Sequence, residues 1–383
     1  MMGQGIRLGC VALVAVAGIG GEPQIRREGA FWVGVDKGKV EVAAHGKIRV
    51  NGIGAITVKG GTENELSYVV VKRVKAATEA QARRLLSAYS LHASRQGDLT
   101  YLTVQGPGMA DLELAAPRNA SALVTETTGG TIDVSQFEGT VKVVTGGGRV
   151  SLDQIGGAAI ARTAGGDVLL GKMGGDVRCT SGGGTIRADV IHGQAQFETG
   201  GGDIVVQQVD GSVRCSTAAG GIRITQAGDI VIADTVGGPI EVGYAKGMVT
   251  AKNSGGPIKV DSSPGATCES AGGAIHLTSV GGSLKASTAV GSIIARFQSQ
   301  PVADSFLSTG SGDITLWIPS NLKITLHVES ANYDGKRKIV SDFPAIAVKS
   351  AGWVTTGEGK LNGGGPLVRV AGAGGTIYVR RVE

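Results

Sequence analysis

A glycine pair or triplet recurs through the middle of this chain, and each time it precedes a short strand-like run such as "GGDVLL", "GGTIRA" or "GGDIVV". The glycine before the run falls at positions 130, 148, 166, 184, 202, 221, 238, 256, 273 and 291, so the spacing is 17 to 19 residues. A second glycine series lies between these, at 139, 157, 175, 193, 211, 228, 247, 265 and 282. Each repeat therefore contains two strands of about five residues joined by two glycine turns.

A unit of this size cannot bury an apolar face by itself, so the repeat predicts an all-β, single-stranded β-solenoid with about 18 residues per coil. An antiparallel sandwich or barrel with frequent turns is the alternative, but hairpins do not need one register held for ten cycles. The 65 glycines and the 4% aromatic content indicate a core of small and β-branched side chains. At the corners we expect Gly202 and Gly221 to adopt positive φ, where a Cβ would be costly.

The register also predicts two inward columns of side chains. One is apolar and contains three cysteines: Val143, Ala161, Cys179, Phe197, Cys215, Ala233, Cys268 and Ala286. Because Cys179 and Cys215 are two coils apart, their Cα atoms should be about 9 to 10 Å apart, beyond disulfide reach, and we expect buried free thiols. The other column carries hydroxyls that can satisfy turn backbone groups: Thr145, Thr163, Ser181, Thr199, Thr217, Thr235, Ser254, Ser270 and Thr288.

The outward positions are mixed in charge, and seven of them are basic: Lys142, Arg178, Arg187, Arg214, Arg223, Lys259 and Lys285. With a formal net charge of +5, these residues form a candidate binding face for an anionic glycan or an envelope protein. The alternative is a solvated face without a ligand. No nucleic-acid partner is expected.

Two flanking regions depart from the repeat. Residues 31–120 contain longer alternating strands and one helix, for which Thr78 and Gln81 form a capping pair and Ala82, Leu85, Leu86 and Tyr89 an apolar face. Residues 301–383 again read as strands. Since open solenoid ends would expose strand edges, we expect both regions to cap a repeat region spanning 121–300, in one elongated unit.

The N-terminal segment has the order of a secretory signal peptide, with Arg7, the apolar run "LGCVALVAVAGIGG" and a polar stretch. We assign residues 1–21 to it and expect an exported protein, periplasmic, on the outer surface or extracellular. A buried N-terminal strand is one alternative, and a lipoprotein anchored through Cys10 is another. No later segment is apolar over enough residues to cross a bilayer as a helix.

The sequence offers no recognisable catalytic, cofactor-binding or metal-ligating set. The five histidines, at positions 45, 92, 192, 276 and 327, follow no zinc spacing, and nucleophile-elbow and phosphate-loop patterns are absent. Asp167, Asp203 and Asp313 are interpreted as turn residues. A non-enzymatic protein is therefore expected, and a polysaccharide-active β-helix enzyme is the less favoured alternative because the outward acids are scattered.

The run "PRNASALVTETTGGTIDVSQFEGTVKVVTGGG" and the ending "STGSGDITLWIP…SDFP…GKLNGGGPLVRVAGAGGTIYVRR" resemble the bacterial putative-adhesin family of β-strand-repeat domains, over roughly residues 35 to 380. The resemblance implies an exported or envelope-associated bacterial β-solenoid and transfers no functional residues.

Two functions follow from these observations. The first is an adhesin-like binding module for a polymer or an envelope partner. The second is a self-assembling, bactofilin-like scaffold that polymerises end to end. The flanking regions, as caps, favour the first.

Overall fold

The structure is a computed structural model that describes residues 25–331 and 339–382. The predicted signal peptide, with Cys10, lies outside the described residues, so its assignment stays a prediction. Within the described ranges, no helix is long and apolar enough to cross a membrane.

Strands make up nearly all of the regular structure. The N-terminal elements are β1 (Ile25–Glu28), β2 (Phe31–Glu41), β3 (Lys47–Gly52), β4 (Ile56–Gly61), β5 (Glu65–Val74), α1 (Glu79–Ser87), β6 (Ser90–Gln96), β7 (Leu99–Gln105) and β8 (Met109–Pro117). The repeat strands are β9 (Ala122–Thr127), β10 (Ile132–Phe137), β11 (Thr140–Thr145), β12 (Val150–Ile155), β13 (Ala159–Thr163), β14 (Val168–Met173), β15 (Val177–Ser181), β16 (Ile186–Ile191), β17 (Ala195–Thr199), β18 (Ile204–Val209), β19 (Val213–Thr217), β20 (Ile222–Ala227), β21 (Val231–Thr235), β22 (Ile240–Ala245), β23 (Val249–Asn253), β24 (Ile258–Ser263), β25 (Ala266–Ser270), β26 (Ile275–Gly282), β27 (Leu284–Val290), β28 (Ile293–Val302), β29 (Ser305–Ser311) and β30 (Ile314–Pro319). The C-terminal strands are β31 (Ile324–Ala331), β32 (Ile339–Ser341), β33 (Ala347–Ala351), β34 (Val354–Leu361), β35 (Leu367–Gly372) and β36 (Ile377–Val382).

The predicted β-solenoid is confirmed. From β9 to β30 the chain forms eleven consecutive coils, each with one strand in sheet A and one in sheet B. Within this range the even-numbered strands belong to sheet A and the odd-numbered strands to sheet B. Successive strands within each sheet are parallel and offset by one coil, so that Ile204 pairs with Ile222 and Cys215 with Ala233. The apolar side chains of both sheets meet in one continuous core, so the antiparallel alternative is wrong for the repeat region.

The cysteine column lies inside this core as predicted. Cys179 pairs with Phe197, which pairs in turn with Cys215, and neither cysteine has any exposed surface. Cys268 is equally buried, next to Ala251 and Ala286 in the same column. All three thiols are free. The aromatic ring between Cys179 and Cys215 separates them in the stack.

The corner glycines are required for a different reason from the one predicted. Neither Gly202 nor Gly221 has a φ in the left-handed region, so the prediction of positive φ is wrong. A Cβ on Gly202 would instead lie 2.2 Å from the carbonyl oxygen of Gly184, in the preceding coil. Parallel coils stack about 4.8 Å apart, and at this corner the backbones come so close that no side chain fits between them.

The register at the next corner also differs by one residue from the prediction. Because Ile204 pairs with Ile222, the place equivalent to Gly202 belongs to Gly220, where a Cβ would lie 2.1 Å from the carbonyl oxygen of Gly202. Gly221 is one residue further along, and a Cβ there would come no closer than 3.2 Å to Pro239.

The hydroxyl column joins neighbouring coils. Thr217 Oγ1 donates to the carbonyl oxygen of Gly202 at 3.0 Å and accepts the backbone N–H of Gly220 at 3.3 Å. The same donation to the preceding coil is made by Thr127, Thr145, Thr163, Ser181, Thr199, Thr235, Thr288 and Thr309. Ser254 was wrongly assigned to this column, because Thr235 pairs with Asn253.

At both ends of the solenoid the stacking order departs from the chain order. The coil of β3 and β4 lies between that of β7 and β8 and that of β9 and β10. At the other end the coil of β35 and β36 is inserted between β29–β30 and β31–β32. Antiparallel strands then follow: β6 beside β7, β5 beside β8, and β34 beside β31. Parallel coils thus continue past residues 120 and 300, and the division into caps and repeat region stays a prediction.

The predicted helix is confirmed as α1. Thr78 Oγ1 accepts the N–H of Gln81 at 3.3 Å, whereas the Gln81 amide oxygen accepts from Ala77 at 3.2 Å. Ala82 and Leu86 are buried on its inner face, and the helix packs against β2 and β5 near the N-terminal end of sheet A.

Candidate functional site

The structure divides the predicted basic residues between two opposite faces. Arg187, Arg223 and Lys259 lie on the outer face of sheet A. Lys142, Arg178, Arg214 and Lys285 lie on the outer face of sheet B and share one register position; we call them the sheet B cation row. The sequence pattern could not separate the two sets, because both occupy the second residue of a short alternating strand.

On sheet A, two of the three cations are neutralised by neighbouring acids. The Arg223 guanidinium lies 2.8 Å from the carboxylate of Glu241, and the Lys259 ammonium lies 3.1 Å from that of Asp261. The third cation, Arg187, has the apolar residues Leu169 and Val205 as its cross-strand neighbours in sheet A. This face therefore presents less free positive charge than its sequence indicates.

On sheet B, Lys142, Arg178 and Arg214 are spaced two coils apart, with Ile160 between the first pair and Gln196 between the second. Two coils correspond to about 9.5 Å along the solenoid. No ion pair joins any of these three cations to a carboxylate in the described part of the chain. Arg178 and Arg214 are exposed, and Lys142 is half-buried.

A shallow depression of about 390 Å³ lies beside this row. Arg178, Gln196, Arg214 and Ile232 contribute outward side chains to it, and Asp176 and Gln194 contribute from the adjoining turn. The Gln196 amide donates to Glu198 at 2.9 Å, and Asp176 accepts the backbone N–H of Gln194 at 2.8 Å. Two guanidinium groups with free hydrogen-bond donors therefore flank a surface that could hold an anionic ligand.

The three aspartates that were interpreted as turn residues bond to backbone N–H groups. The carboxylates of Asp167, Asp203 and Asp313 each accept an N–H from the adjacent coil in the stack, at 2.8, 2.7 and 2.8 Å.

Desolvation raises the pKa of the half-buried Asp133 on sheet A, and the positive charge of Arg149 lowers it in part. Within the described ranges, no three His, Cys, Asp or Glu side chains are grouped so that they could hold a metal ion.

The buried thiols are poorly suited to nucleophilic chemistry. Burial raises the pKa of Cys179 and of Cys268 to about 12, and it raises the pKa of Cys215 further still. Since the thiolate is the reactive form, these groups serve as small apolar side chains in the core.

The sequence interpretation missed one surface feature near the C-terminal end of sheet A. Arg296, Trp317 and Arg380 are cross-strand neighbours on β28, β30 and β36. Arg296 and Trp317 are exposed between buried residues of their strands, and Arg380 is half-buried next to the exposed Arg381. The signal was present in "ITLWIP", where strict alternation places the tryptophan on the solvent side. It was overlooked because β36 joins the sheet out of chain order.

Comparison with known proteins gives structural likenesses alone. No family model matches the chain, and no curated protein matches it in sequence. Among solved structures, a putative adhesin from Parabacteroides merdae is 13% identical and covers 74% of this chain and 95% of its own, with a TM-score of 0.23. A putative adhesin from Bacteroides fragilis is 9% identical over 91% of this chain and 97% of its own, with a TM-score of 0.22. A putative lipid binding protein from Parabacteroides distasonis is 11% identical over the same shares, with a TM-score of 0.20.

Bacterial proteins named as adhesins are thus among the structures similar to this chain, in agreement with the resemblance seen in the sequence. At these identities and TM-scores the likenesses carry no argument about activity or ligand.

Proposed function

We propose that this protein is an exported, non-enzymatic binding module that holds a linear anionic polymer of the cell envelope along the outer face of sheet B. The observation that carries the proposal is the sheet B cation row, in which Lys142, Arg178 and Arg214 recur every second coil without an acidic partner. Export is part of the proposal and rests on the sequence of residues 1–21.

Repetition is what makes this row suited to a polymer. A single exposed ion pair contributes about 0–1 kcal/mol, which is too little to hold a ligand. Cations that repeat at about 9.5 Å can engage successive acidic groups of one extended chain, and each further contact is then intramolecular. A polysaccharide with one carboxylate or sulfate per disaccharide has a comparable repeat, so it fits this row better than a compact anion does.

The N-terminal end of the solenoid supports a binding module over an end-to-end scaffold. The outermost strand of sheet A at this end is β1, which is short and carries Arg26, Arg27 and Glu28. A short, charged edge strand of this kind opposes pairing with a second copy. The corresponding strand of sheet B is β6, which is largely exposed and antiparallel to its neighbour.

The test compares two matched double variants of the full chain. Arg178→Gln/Arg214→Gln removes charge from sheet B, and Arg187→Gln/Arg223→Gln removes the same charge from sheet A. We expect hyaluronate, which carries one carboxylate per disaccharide, to bind the sheet B variant at least about tenfold more weakly in isothermal titration calorimetry, a difference of about 1.4 kcal/mol. The sheet A variant should bind like the unmodified protein, and uncharged dextran should not bind.

Equal losses in the two variants would contradict the proposal, since the effect would then reflect net charge alone. A fall in the viscosity of the polymer solution on incubation with the protein would contradict its non-enzymatic part.

A further inference from the structure

The groove beside Trp317 is a second polar and aromatic surface, on the face opposite to the sheet B cation row. Trp317 is 39% exposed, although both of its strand neighbours, Leu316 and Ile318, are fully buried. Arg296 on β28 and Arg380 on β36 are its cross-strand neighbours. A large aromatic side chain thus stands on a strand between two arginine positions.

The two arginines differ in their surroundings. Arg380 is held in place, because its guanidinium lies 2.8 Å from the carboxylate of Asp342 and 5.0 Å from the ring centre of Tyr378. Arg296 is exposed, and no carboxylate of the described residues pairs with it. Of these two arginines, Arg296 is therefore the one that is available to a ligand. Arg381 also lines the depression beside Trp317, and its guanidinium lies 5.0 Å from the ring centre of Phe343.

Two adjoining depressions meet at Arg296. The first, of about 400 Å³, is lined by Arg296, Trp317, His276 and Ile294. The second, of about 700 Å³, is lined by Arg296, Ser279, Gln298 and Asn321. Both volumes lie within the range of about 300–1,000 Å³ that is common for small-ligand sites.

The polar side of this groove is ordered by hydrogen bonds. The Gln298 amide donates to the carbonyl oxygen of Ser279 at 3.0 Å and to its hydroxyl at 2.7 Å. The Thr278 hydroxyl donates to Asp261 at 3.2 Å, and the ammonium of Lys259 balances that carboxylate. Fixed amide and hydroxyl groups next to an exposed indole offer both hydrogen bonds and an apolar ring face.

We propose that this groove is a binding site for a short acidic saccharide, in which a sugar ring stacks on Trp317 and its carboxylate or sulfate binds Arg296. The site is separate from the sheet B cation row and does not depend on it.

The arrangement favours a saccharide over a single-stranded nucleic acid. Nucleic-acid sites place successive aromatic rings along a cationic groove so that several bases stack in turn. Here Trp317 is the one aromatic residue among the three cross-strand neighbours Arg296, Trp317 and Arg380. Hydroxyl and amide groups line the adjoining depression. One stacked ring with one acidic contact matches a uronic acid or a sulfated sugar.

The test measures binding of digalacturonate to the full chain by isothermal titration calorimetry, with digalactose as the uncharged analogue. We expect Trp317→Ala to weaken the binding of both disaccharides by at least about tenfold. Arg296→Gln should weaken digalacturonate binding by about three- to fivefold, as expected for the loss of one exposed ion pair, and leave digalactose binding unchanged. Trp353→Ala removes an indole that is 66% exposed at the β33–β34 turn, and it should have no effect.

The variant Arg178→Gln/Arg214→Gln separates this site from the function proposed above, because it should lose the long polymer and keep the disaccharide. Circular dichroism spectra and melting temperatures verify that each variant folds. The proposal is overturned if digalacturonate does not bind, if Trp317→Ala and Arg296→Gln both bind it normally, or if a thymidine hexanucleotide binds more tightly than the disaccharide.

Discussion

Replacing Gly202 by alanine tests why glycine occupies the solenoid corners. The new Cβ would lie 2.2 Å from the carbonyl oxygen of Gly184, 2.4 Å from its carbonyl carbon and 2.7 Å from the nitrogen of Thr185. Real Cβ contacts essentially never fall below 3.0 Å, so the two coils must separate locally by at least 3.0 − 2.2 = 0.8 Å. All three clashing atoms belong to backbone, and no side chain can rotate away to relieve the contact.

The cost of that separation follows from the hydrogen bonds that cross the corner. Thr199 donates to the carbonyl oxygen of Gly184 at 2.8 Å, and a shift of 0.8 Å would stretch this bond to 3.6 Å. The contacts of Gly202 with Thr199 and Thr217, at 3.4 and 3.0 Å, would be strained by the same movement. At about 1 kcal/mol per bond, losing two or three of them, together with residual strain, predicts a destabilisation of about 2–4 kcal/mol.

Gly201→Ala is the matched control, one residue away. A Cβ there would approach nothing closer than 3.9 Å, and the φ of Gly201 lies outside the left-handed region. Alanine has fewer backbone conformations than glycine in the unfolded chain, so less conformational entropy is lost on folding. The free energy of unfolding of Gly201→Ala should therefore be unchanged or higher by up to about 1 kcal/mol. Urea denaturation followed by circular dichroism compares the two midpoints. Equal midpoints for Gly202→Ala and Gly201→Ala would refute the explanation by close backbone approach.

Two further predictions concern the inward columns. Thr217→Val leaves the carbonyl oxygen of Gly202 and the N–H of Gly220 without their present partner, so it should lower the free energy of unfolding by about 1–3 kcal/mol. Thr250→Val, at an outward position, should change it by less than about 0.5 kcal/mol, and equal effects would contradict the bonding described for the column. Because burial raises the pKa of Cys179 and Cys268 to about 12, the unfolded thiols lose their protons first as the pH rises. Stability is therefore unaffected below about pH 9 and falls above it, by up to about 1.4 kcal/mol per thiol per pH unit. Denaturation midpoints from pH 8 to pH 11 test this, and Cys179→Ala/Cys268→Ala should show a shallower fall.

The sequence predicted the repeat region well because inward positions follow a strict rule. Every second residue of a short strand faces the core, and the glycine spacing sets the phase, so the cysteine column was identified correctly. Register errors came from places where the spacing is ambiguous by one residue, such as the "AAGG" before Ile222, which contains two candidate glycines. The prediction of positive φ failed for a separate reason, because close approach of the backbones of neighbouring coils accounts for glycine at position 202.

The sequence pattern does not predict which distant coils stack on each other, for a different reason. The coil of β35 and β36 is separated from the coil of β29 and β30 by the 47 residues 320–366, yet it stacks directly on that coil. The local sequence patterns of Leu367–Gly372 and Ile377–Val382 predict two strands, but they do not indicate which strands these two pair with. The Arg296–Trp317–Arg380 row depends on that contact, so it could not be read from periodicity.

The same geometry explains why the outward residues are the informative ones for function. Inward side chains are constrained by stacking at about 4.8 Å per coil, and most of them are valine, isoleucine, leucine, alanine or threonine. Outward positions meet only their lateral neighbours and solvent, so they can differ from coil to coil without disturbing the core. A departure from the surrounding composition at such a position, such as unpaired arginines at a two-coil interval or a tryptophan between two arginines, is therefore not required by folding. The proposed binding function of this solenoid rests on these departures on the solvent faces.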